Sequence, residues 1–307
     1  MPCIIALIIF GIMGIFSASH RALAKEAFSC VFRRITLRPC NTGFQEKIKD
    51  KILSKLINRS VFLTKLVNKN YELLSWIFFV LMVGSMVWTI RGGYNFYVYG
   101  SCNGLNQSGF CAFDPKGENN KISEIGSTCG VVQKTEQTLT LDGVDLSSFP
   151  TQDVGSKDNV VFVGCYDCIY SKKAYPLIKK LVQNKKANLI FAHFPAKGDT
   201  ESLSVIDYCV YKEYGDKFWI FNDYLFSDYA INKNNTNTIL EKFGFDVKKI
   251  NACAANSEIK SAVDAQMREL EKTNLFGTPT VFINGKAYVG PKPYRVYRSA
   301  INKFIFF

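Results

Sequence analysis

Two long stretches of the chain are predominantly apolar and contain no charged side chain. They cover residues 2–18 and 73–90, which are 17 and 18 residues long. A helix that crosses the hydrocarbon core of a bilayer needs about 20 mostly apolar residues. We therefore predict two transmembrane helices, at residues 1–18 and 73–91. Aromatic residues typical of a membrane–water interface stand near the ends of the second helix: Trp76, Trp88, Tyr94, Phe96, Tyr97 and Tyr99.

The segment between these stretches is strongly basic. Residues 19–72 contain 12 Lys and Arg against four acidic residues, which is +8 of the net charge of +12. Basic loops stay on the cytoplasmic side of a membrane, so the N-terminus and residues 92–307 are expected to be extracytoplasmic. Because the charge belongs to one segment between two apolar stretches, we predict no nucleic-acid partner. The alternative is a signal peptide cleaved at Ala24, which would put the C-terminal domain in the cytoplasm.

The basic loop carries two further features. Residues 44–67 place apolar side chains near helical spacing with lysines between them. This pattern fits a basic amphipathic helix on an anionic lipid leaflet, or equally a solvated helix that leads into the second span. Cys30 and Cys40 have no nearby histidine that would complete a zinc site, so we interpret them as thiols.

Residues 92–150 form a predicted extracytoplasmic linker. The first part is rich in Gly, Asn and Ser, a composition that favours loops and turns. Cys102 and Cys111 are nine residues apart on the oxidising side, and we predict a disulfide between them. Cys129 is then left over, with Cys3 as its candidate partner on the same side of the membrane.

The pattern changes from about residue 151. Residues 159–164, NVVFVG, form a short apolar run typical of a buried strand. Apolar residues then recur every three or four positions between Tyr170 and Val182, which indicates a helix that contains Pro176. A second strand follows at residues 188–194. Strand, helix and strand with tight connections form a βαβ unit and imply a parallel sheet.

Helices and then a hairpin follow this unit. Residues 204–226 and 239–274 have helical patterns and form an inserted helical block. Asn284-Gly285 lies between two β-forming runs in residues 277–290, which is a strong hairpin signal. A last helix is predicted at residues 294–304. The predicted fold class is therefore α/β, a thioredoxin-type core at residues 151–307 with helices inserted in its middle and two transmembrane helices before it.

Cys165 and Cys168 form a C-x-x-C pair directly after the first strand. A structural disulfide between them would close so short a loop that it would constrain almost nothing. A zinc site would need two more ligands, and His193 is the only histidine of this domain, so we predict no metal. A redox-active couple is the remaining interpretation.

Four separated motifs resemble the DsbA-like branch of the thioredoxin superfamily. The resemblance covers roughly residues 155–305 and rests on motifs that occur in the family's order: Cys165–Cys168, His193-Phe194-Pro195, Lys217-Phe218-Trp219 with Leu225-Phe226, and Gly277-Thr278-Pro279-Thr280. It implies a protein thiol-disulfide oxidoreductase that acts on exported cysteine-containing proteins without a metal or organic cofactor. It also implies a membrane redox partner, either a quinone-linked oxidase or an electron donor, that resets the couple.

The resemblance assigns roles to individual residues. Cys165 is expected at the mouth of a helix, where unpaired N–H groups lower a thiol pKa, and to attack or be attacked. Cys168 is the resolving thiol. Thr278 precedes a proline, Pro279, that is cis in the family, and its backbone is expected to pair with an extended substrate.

Residues Tyr166 and Asp167 depart from the Pro-His or Pro-Tyr pair of the family's strong oxidants. A carboxylate beside the thiolate should raise its pKa, which predicts a potential more reducing than about −120 mV. Because the domain faces an oxidising space, Cys209 and Cys253 are predicted to form a disulfide. His193 and Trp219 are interpreted as packing residues.

Three rival functions remain open from the sequence. The first is a disulfide reductase or isomerase kept reduced by a membrane electron donor. The second is a non-catalytic binding or chaperone module on the same fold, against which the intact C-x-x-C pair argues. The third is the inverted topology, with the domain in the cytoplasm as a reductant.

Overall fold

The computed structural model describes residues 18–35, 49–50, 53–54, 57, 60–107, 109–124, 138–197, 200–227 and 235–301. The chain divides into two compact units, Met1–Arg91 and Gly92–Phe307. Nearly all of the first predicted transmembrane helix lies outside the described residues, as do Cys3, Cys40, Cys129 and much of the predicted amphipathic helix.

The first unit is helical where it is described. Helix α1 spans Ala18–Ile35, α2 spans Val61–Lys69, and α3 begins at Tyr71 and continues to Tyr99. Cys30 of α1 is buried and disulfide-bonded, so its interpretation as a thiol is wrong.

Helix α3 contains the second predicted span. Among the described residues, Trp76–Tyr99 is the one helical segment long and apolar enough to cross a membrane, judged by length and composition alone. Its 24 residues extend about 36 Å at 1.5 Å per residue, which exceeds a hydrocarbon core of about 30 Å. The helix ends at Tyr99, eight residues beyond the predicted limit of 91, and is followed by Gly100, whose positive φ of 75° is typical of a helix C-terminus.

The second unit contains the predicted elements in their predicted order, and it also contains short strands at Ser123–Glu124 and Thr151–Gln152 that the sequence pattern did not predict. Its strands are β1 Ser123–Glu124, β2 Thr151–Gln152, β3 Asn159–Gly164, β4 Asn188–His193, β5 Gly277–Thr278, β6 Thr280–Ile283 and β7 Lys286–Val289. Its helices are α4 Ile169–Lys185, α5 Glu201–Tyr214, α6 Lys217–Ser227, α7 Thr236–Lys242, α8 Val247–Ala255, α9 Ser257–Lys272 and α10 Tyr294–Ile301. A single 3₁₀ turn, Glu118–Asn120, precedes β1.

Five strands form the central sheet, in the order β2-β4-β3-β6-β7. Strands β3 and β4 are parallel and connected by α4, which is the predicted βαβ unit. The other neighbours in the sheet are antiparallel. Strand β3 is central and all of its residues after Asn159 are buried, which explains why its sequence is continuously apolar. The β6–β7 turn has Asn284 and Gly285 at positive φ, as the Asn-Gly signal predicts.

The helical block packs on this sheet through a cluster of aromatic rings. Phe162 of β3 contacts Phe226 of α6 edge to face at 5.6 Å, and Phe226 stacks on Tyr175 of α4 at 4.2 Å. A disulfide joins Cys209 of α5 to Cys253 of α8. These contacts hold the inserted helices close to the carboxyl end of β3, where the C-x-x-C pair begins.

Described residues of the 92–150 segment are bonded to one another and to the thioredoxin core. A disulfide joins Cys102 to Cys111. The Asn106 side chain donates to Ala287 O at 2.9 Å and accepts from the Val289 N–H at 2.8 Å. Strand β1 pairs with β5, which lies directly before Pro279. The composition of residues 92–150 predicts loops and turns, but it does not reveal these hydrogen bonds to the core.

Candidate active site

Cys165 lies at the end of β3 and is fully buried. Its thiol donates to Lys197 O at 3.3 Å and lies 3.5 Å from Thr200 Oγ1. Burial raises the pKa of Cys165 above its ordinary value, and the hydrogen bond of Thr200 opposes this only in part. The thiol is therefore more protonated here than the position at a helix mouth predicts.

Cys168, rather than Cys165, is the N-cap of α4. Its sulfur accepts from the Ser171 N–H at 3.4 Å, and its thiol lies 3.3 Å from Thr278 O. Burial raises the pKa of Cys168, but hydrogen bonds, those of the Ser123 and Ser171 hydroxyls foremost, outweigh it, so the net pKa is lowered. The Ser123 and Ser171 hydroxyls and the helix N-terminus together stabilise the thiolate of Cys168.

Gly164 allows the strand to end close to the aromatic cluster. A Cβ atom at this position would lie 2.5 Å from a ring carbon of Phe162 and 3.1 Å from Phe226. A larger residue would therefore displace the backbone that leads directly into Cys165. The need for glycine immediately before the first cysteine follows from this close packing.

The turn that contains Pro279 lies beside Cys168. The Thr278–Pro279 peptide bond is cis, and Thr278 is fully buried. The Thr280 hydroxyl donates to Gly277 O at 2.9 Å, and the Gly290 N–H donates to Pro279 O at 2.9 Å. These bonds fix the turn, so the Thr278 carbonyl stays beside the Cys168 sulfur.

Tyr166 lies inside the protein rather than at the surface of the site. Its ring stacks on His193 at 4.4 Å between centroids, and its hydroxyl donates to Asp207 Oδ2. Burial lowers the pKa of His193 to about 3 and raises the pKa of Asp207 well above its ordinary value. His193 is therefore a neutral packing residue, with Nδ1 2.7 Å from the Ser204 hydroxyl.

A small cavity of about 20 Å³ adjoins this pair, with His193, Ser204, Asp207 and Gln266 among its polar lining. Within the part of the chain that the structure describes, His193 Nε2 and Asp207 Oδ1 have no hydrogen-bond partner. The cavity is large enough for one water molecule. The sequence interpretation missed Asp207. This residue lies on the same face of α5 as the buried Leu203 and Val210, and an acidic residue on an apolar helix face was a usable signal.

Asp167 is half-buried between the two cysteines. Burial of the thiol is the main cause that raises the pKa of Cys165, whereas a hydrogen bond from the Asp167 backbone lowers this pKa. The sequence predicts a pKa lowered by the helix mouth and raised by the Asp167 carboxylate, whereas here burial raises the pKa of Cys165. Among the described residues, no group of three or more His, Cys, Asp or Glu side chains could hold a metal ion, and the two cysteines that carry no disulfide are Cys165 and Cys168.

The site occurs in a segment that is similar to other proteins in sequence. Residues 160–303 match the Thioredoxin family. The chain is 27% identical over 164 residues to a Bacillus anthracis protein named "Probable disulfide bond formation protein D". The matched region covers 47% of this chain and 74% of that protein.

Solved structures are also similar to about half of the chain. The protein alpha-DsbA2 from Wolbachia pipientis is 20% identical, with a TM-score of 0.47, over 51% of this chain and 87% of its own. BdbD from Bacillus subtilis is 18% identical, with a TM-score of 0.43, over 52% of this chain and 92% of its own. Residues 160–303 therefore carry a thioredoxin domain, and the similarity to the disulfide bond formation protein supports a DsbA-like thiol-disulfide oxidoreductase of the thioredoxin superfamily.

Proposed function

We propose that this chain is a membrane-tethered, extracytoplasmic oxidoreductase that forms or exchanges disulfides in exported, cysteine-containing proteins. The observation that carries the proposal is the position of the unbonded Cys165 and Cys168 beside the cis-proline turn, with Cys168 Sγ 3.3 Å from Thr278 O. In this proposal residues 151–307 form the catalytic domain, residues 92–150 form the extracytoplasmic segment before it, and the helix that includes residues 73–91 is the tether.

The oxidising reaction is a pair of thiol–disulfide exchanges. A substrate thiolate attacks Sγ of Cys165 in the oxidised Cys165–Cys168 pair, and Cys168 leaves as a thiolate. A second substrate thiolate then attacks the substrate sulfur of the mixed disulfide, and Cys165 leaves as a thiolate. The substrate loses two electrons and the cysteine pair gains them. A leaving thiol of lower pKa leaves faster, so the hydrogen bonds around Cys168 favour the first step.

Thr278 and Pro279 are the proposed substrate-binding residues. An extended peptide that adds as a strand uses backbone hydrogen bonds for affinity. Strand β5, Gly277–Thr278, has backbone groups at the position where such a peptide would bring its cysteine close to the couple. The cis geometry before Pro279 and the bond of Pro279 O to the Gly290 N–H support a fixed docking edge.

The raised pKa of Cys165 favours a second candidate function. A buried thiol with a raised pKa forms less of the thiolate that stabilises the reduced state of a strong oxidant. We therefore expect a potential more reducing than about −120 mV, the value typical of the strongest oxidants. Such a couple would also suit a reductase or isomerase. A quinone-linked membrane oxidase would reset the oxidase, and a membrane electron donor would reset the reductase.

The catalytic proposal is tested with the full chain in detergent and a synthetic peptide that contains two cysteines. The oxidised wild type should convert the peptide dithiol to its disulfide, and Cys165→Ser should abolish this reaction. Cys168→Ser should also stop turnover, but its Cys165 thiolate should still attack the disulfide form of the peptide, so that one peptide sulfur leaves as a thiolate and the other forms a mixed disulfide with Cys165. Turnover by either serine variant at the wild-type rate would disprove the assigned roles.

The topology is a separate part of the proposal, because two observations disagree. The basic charge of residues 19–72 favours the cytoplasm, whereas a disulfide at Cys30 is typical of an oxidising compartment. Trypsin added to intact cells or spheroplasts should leave the many Lys and Arg residues of this segment uncleaved until the membrane is opened. Cleavage in sealed spheroplasts would place the segment outside and reject the two-span topology.

A further inference from the structure

A short segment from outside the matched family residues lies on the proposed docking edge. We call residues 118–124, which comprise the 3₁₀ turn and β1, the arm. Within it, Ser123 and Glu124 pair antiparallel with Thr278 and Gly277. The Ser123 hydroxyl lies 2.8 Å from Thr278 Oγ1 and 3.4 Å from Thr278 O, and it also forms a hydrogen bond with Cys168.

The contact between the arm and the core is close at two glycines. A Cβ atom at Gly277 would lie 2.5 Å from Ile122 Cδ1 and 2.5 Å from Ser123 O. A Cβ atom at Gly290 would lie 2.8 Å from the carbonyl carbon of Asn120. Glycine at both positions therefore allows the arm to approach the backbone of the cis-proline turn and of its neighbouring loop.

A buried lysine holds the other end of the arm. Lys292 is almost completely buried, and its Nζ donates to Asn120 Oδ1. Burial lowers the pKa of Lys292 to about 7, while Asp114 opposes this shift. The Asn120 amide also donates to Gln107 O at 3.2 Å, so Asn120 connects the arm to the segment before it and to the core.

A substrate peptide needs the backbone groups that the arm already uses. The two-stranded sheet that the structure records consists of β1 and β5, so β1 is the strand paired with Gly277–Thr278. An incoming strand could not form the same antiparallel pairing while Ser123 and Glu124 occupy it. The full burial of Cys165, Cys168 and Thr278 agrees with a site that is closed in this state.

We propose that the arm is an internal occupant of the peptide-docking edge, and that an extended substrate peptide must displace residues 122–124 to reach the couple. This inference rests on the proposed function, because it takes Thr278 as the substrate-pairing residue. Displacement removes the Ser123 hydroxyl from Cys168, so the environment of the resolving thiol changes when a peptide binds. A thiol reagent without a peptide backbone does not compete with the arm.

The test compares two adducts of the full-length Cys168→Ser variant in detergent. In the first, Cys165 reacts with a ten-residue peptide whose single cysteine carries a 2-pyridylthio group; the thiolate attacks the peptide sulfur and pyridine-2-thione leaves. In the second, the Cys165 thiolate attacks the methylthio sulfur of methyl methanethiosulfonate, methanesulfinate leaves, and a methylthio group remains on Cys165. Hydrogen exchange of the amides of residues 122–124 should lose its protection in the peptide adduct and keep it in the methylthio adduct.

Each outcome decides a different claim. Protection retained in both adducts would overturn the displacement of the arm, while the peptide adduct itself would uphold the reactivity of Cys165. Protection lost in both would show that the arm responds to any modification of the sulfur, which also overturns the proposal. If the peptide adduct does not form and the wild type does not oxidise the dithiol peptide, the proposed function fails together with this inference.

Kinetics of variants give an independent measure. Asn120→Ala removes the side-chain anchor of the arm, and Lys121→Ala is the matched control because the Lys121 side chain is exposed. A net hydrogen bond of about 0.5–1.5 kcal/mol predicts that Asn120→Ala lowers the KM for the dithiol peptide by about two- to tenfold. The rate with dithiothreitol should not change. If Asn120→Ala destabilises the domain, Ile122→Ala provides the same comparison, and an unchanged KM in both would overturn the proposal.

Discussion

Ser171 is expected to set the redox balance of the couple. Its hydroxyl accepts from the Cys165 N–H at 3.2 Å and forms one of the hydrogen bonds that lower the pKa of Cys168. Ser171→Ala removes both interactions and leaves a buried N–H without this acceptor. A hydrogen bond to a charged group contributes about 1.5 kcal/mol or more, and 1.4 kcal/mol corresponds to about 30 mV for a two-electron couple.

The variant should therefore have a higher pKa at Cys168 and a potential more negative by about 30 mV, since the reduced state loses stabilisation of its thiolate. The ultraviolet absorbance of the thiolate measures the first quantity, and equilibration with glutathione buffers measures the second. Ser227→Ala is the matched control, because the Ser227 hydroxyl donates to Tyr224 O at the exposed end of α6. An unchanged potential in Ser171→Ala combined with a lower melting temperature would show that Ser171 has only a structural role.

Two further predictions concern stability of the full chain in denaturant, followed by tryptophan fluorescence. Replacement of Cys209 and Cys253 by alanine should lower the free energy of unfolding by about 4 kcal/mol, because in the chain-entropy treatment this disulfide closes a loop with a sequence separation of 44. The Cys102–Cys111 disulfide closes a shorter loop, with a separation of 9, and its removal should cost less. Equal costs for the two disulfides would contradict this prediction. Asp207→Asn should become progressively more stable than the wild type as pH rises above 3.8, since the buried carboxyl has a raised pKa and its ionisation opposes folding. A pH-independent difference between the two proteins would refute the raised pKa.

The sequence predicts those parts of the fold that depend on local pattern. Strand β3 is found at the predicted residues 159–164, and the Asn284-Gly285 signal gives the β6–β7 hairpin. These elements are set by periodicity and by backbone preferences that a few adjacent residues determine. The cis peptide at Pro279 was available only from the resemblance, because an isolated X-Pro sequence does not fix its isomer.

The electrostatics of the site could not be predicted in the same way. The helix was expected to begin near Cys165, but its N-cap is Cys168. The helix N-terminus, which was expected at the Cys165 thiol, therefore lies at the Cys168 thiol. Burial of Cys165 depends on Lys197 and Thr200, which follow β4 and are brought to the sulfur by the fold. A C-x-x-C pattern indicates the candidate reacting atoms, but the surrounding tertiary contacts decide which of the two forms the more stable thiolate.

The arm has the composition of a loop, yet it lies against the candidate active site. Its pairing with β5 involves two residues on each side, and the Ser123–Thr278 contact spans 155 positions in sequence. Two residues are too few to produce a strand pattern, and backbone pairing requires no particular side chains. The signals that do exist are the glycines at 277 and 290, which lack the Cβ atoms that would exclude the arm. The family match starts at residue 160 and omits the arm, so the family pattern gives no signal for this pairing either.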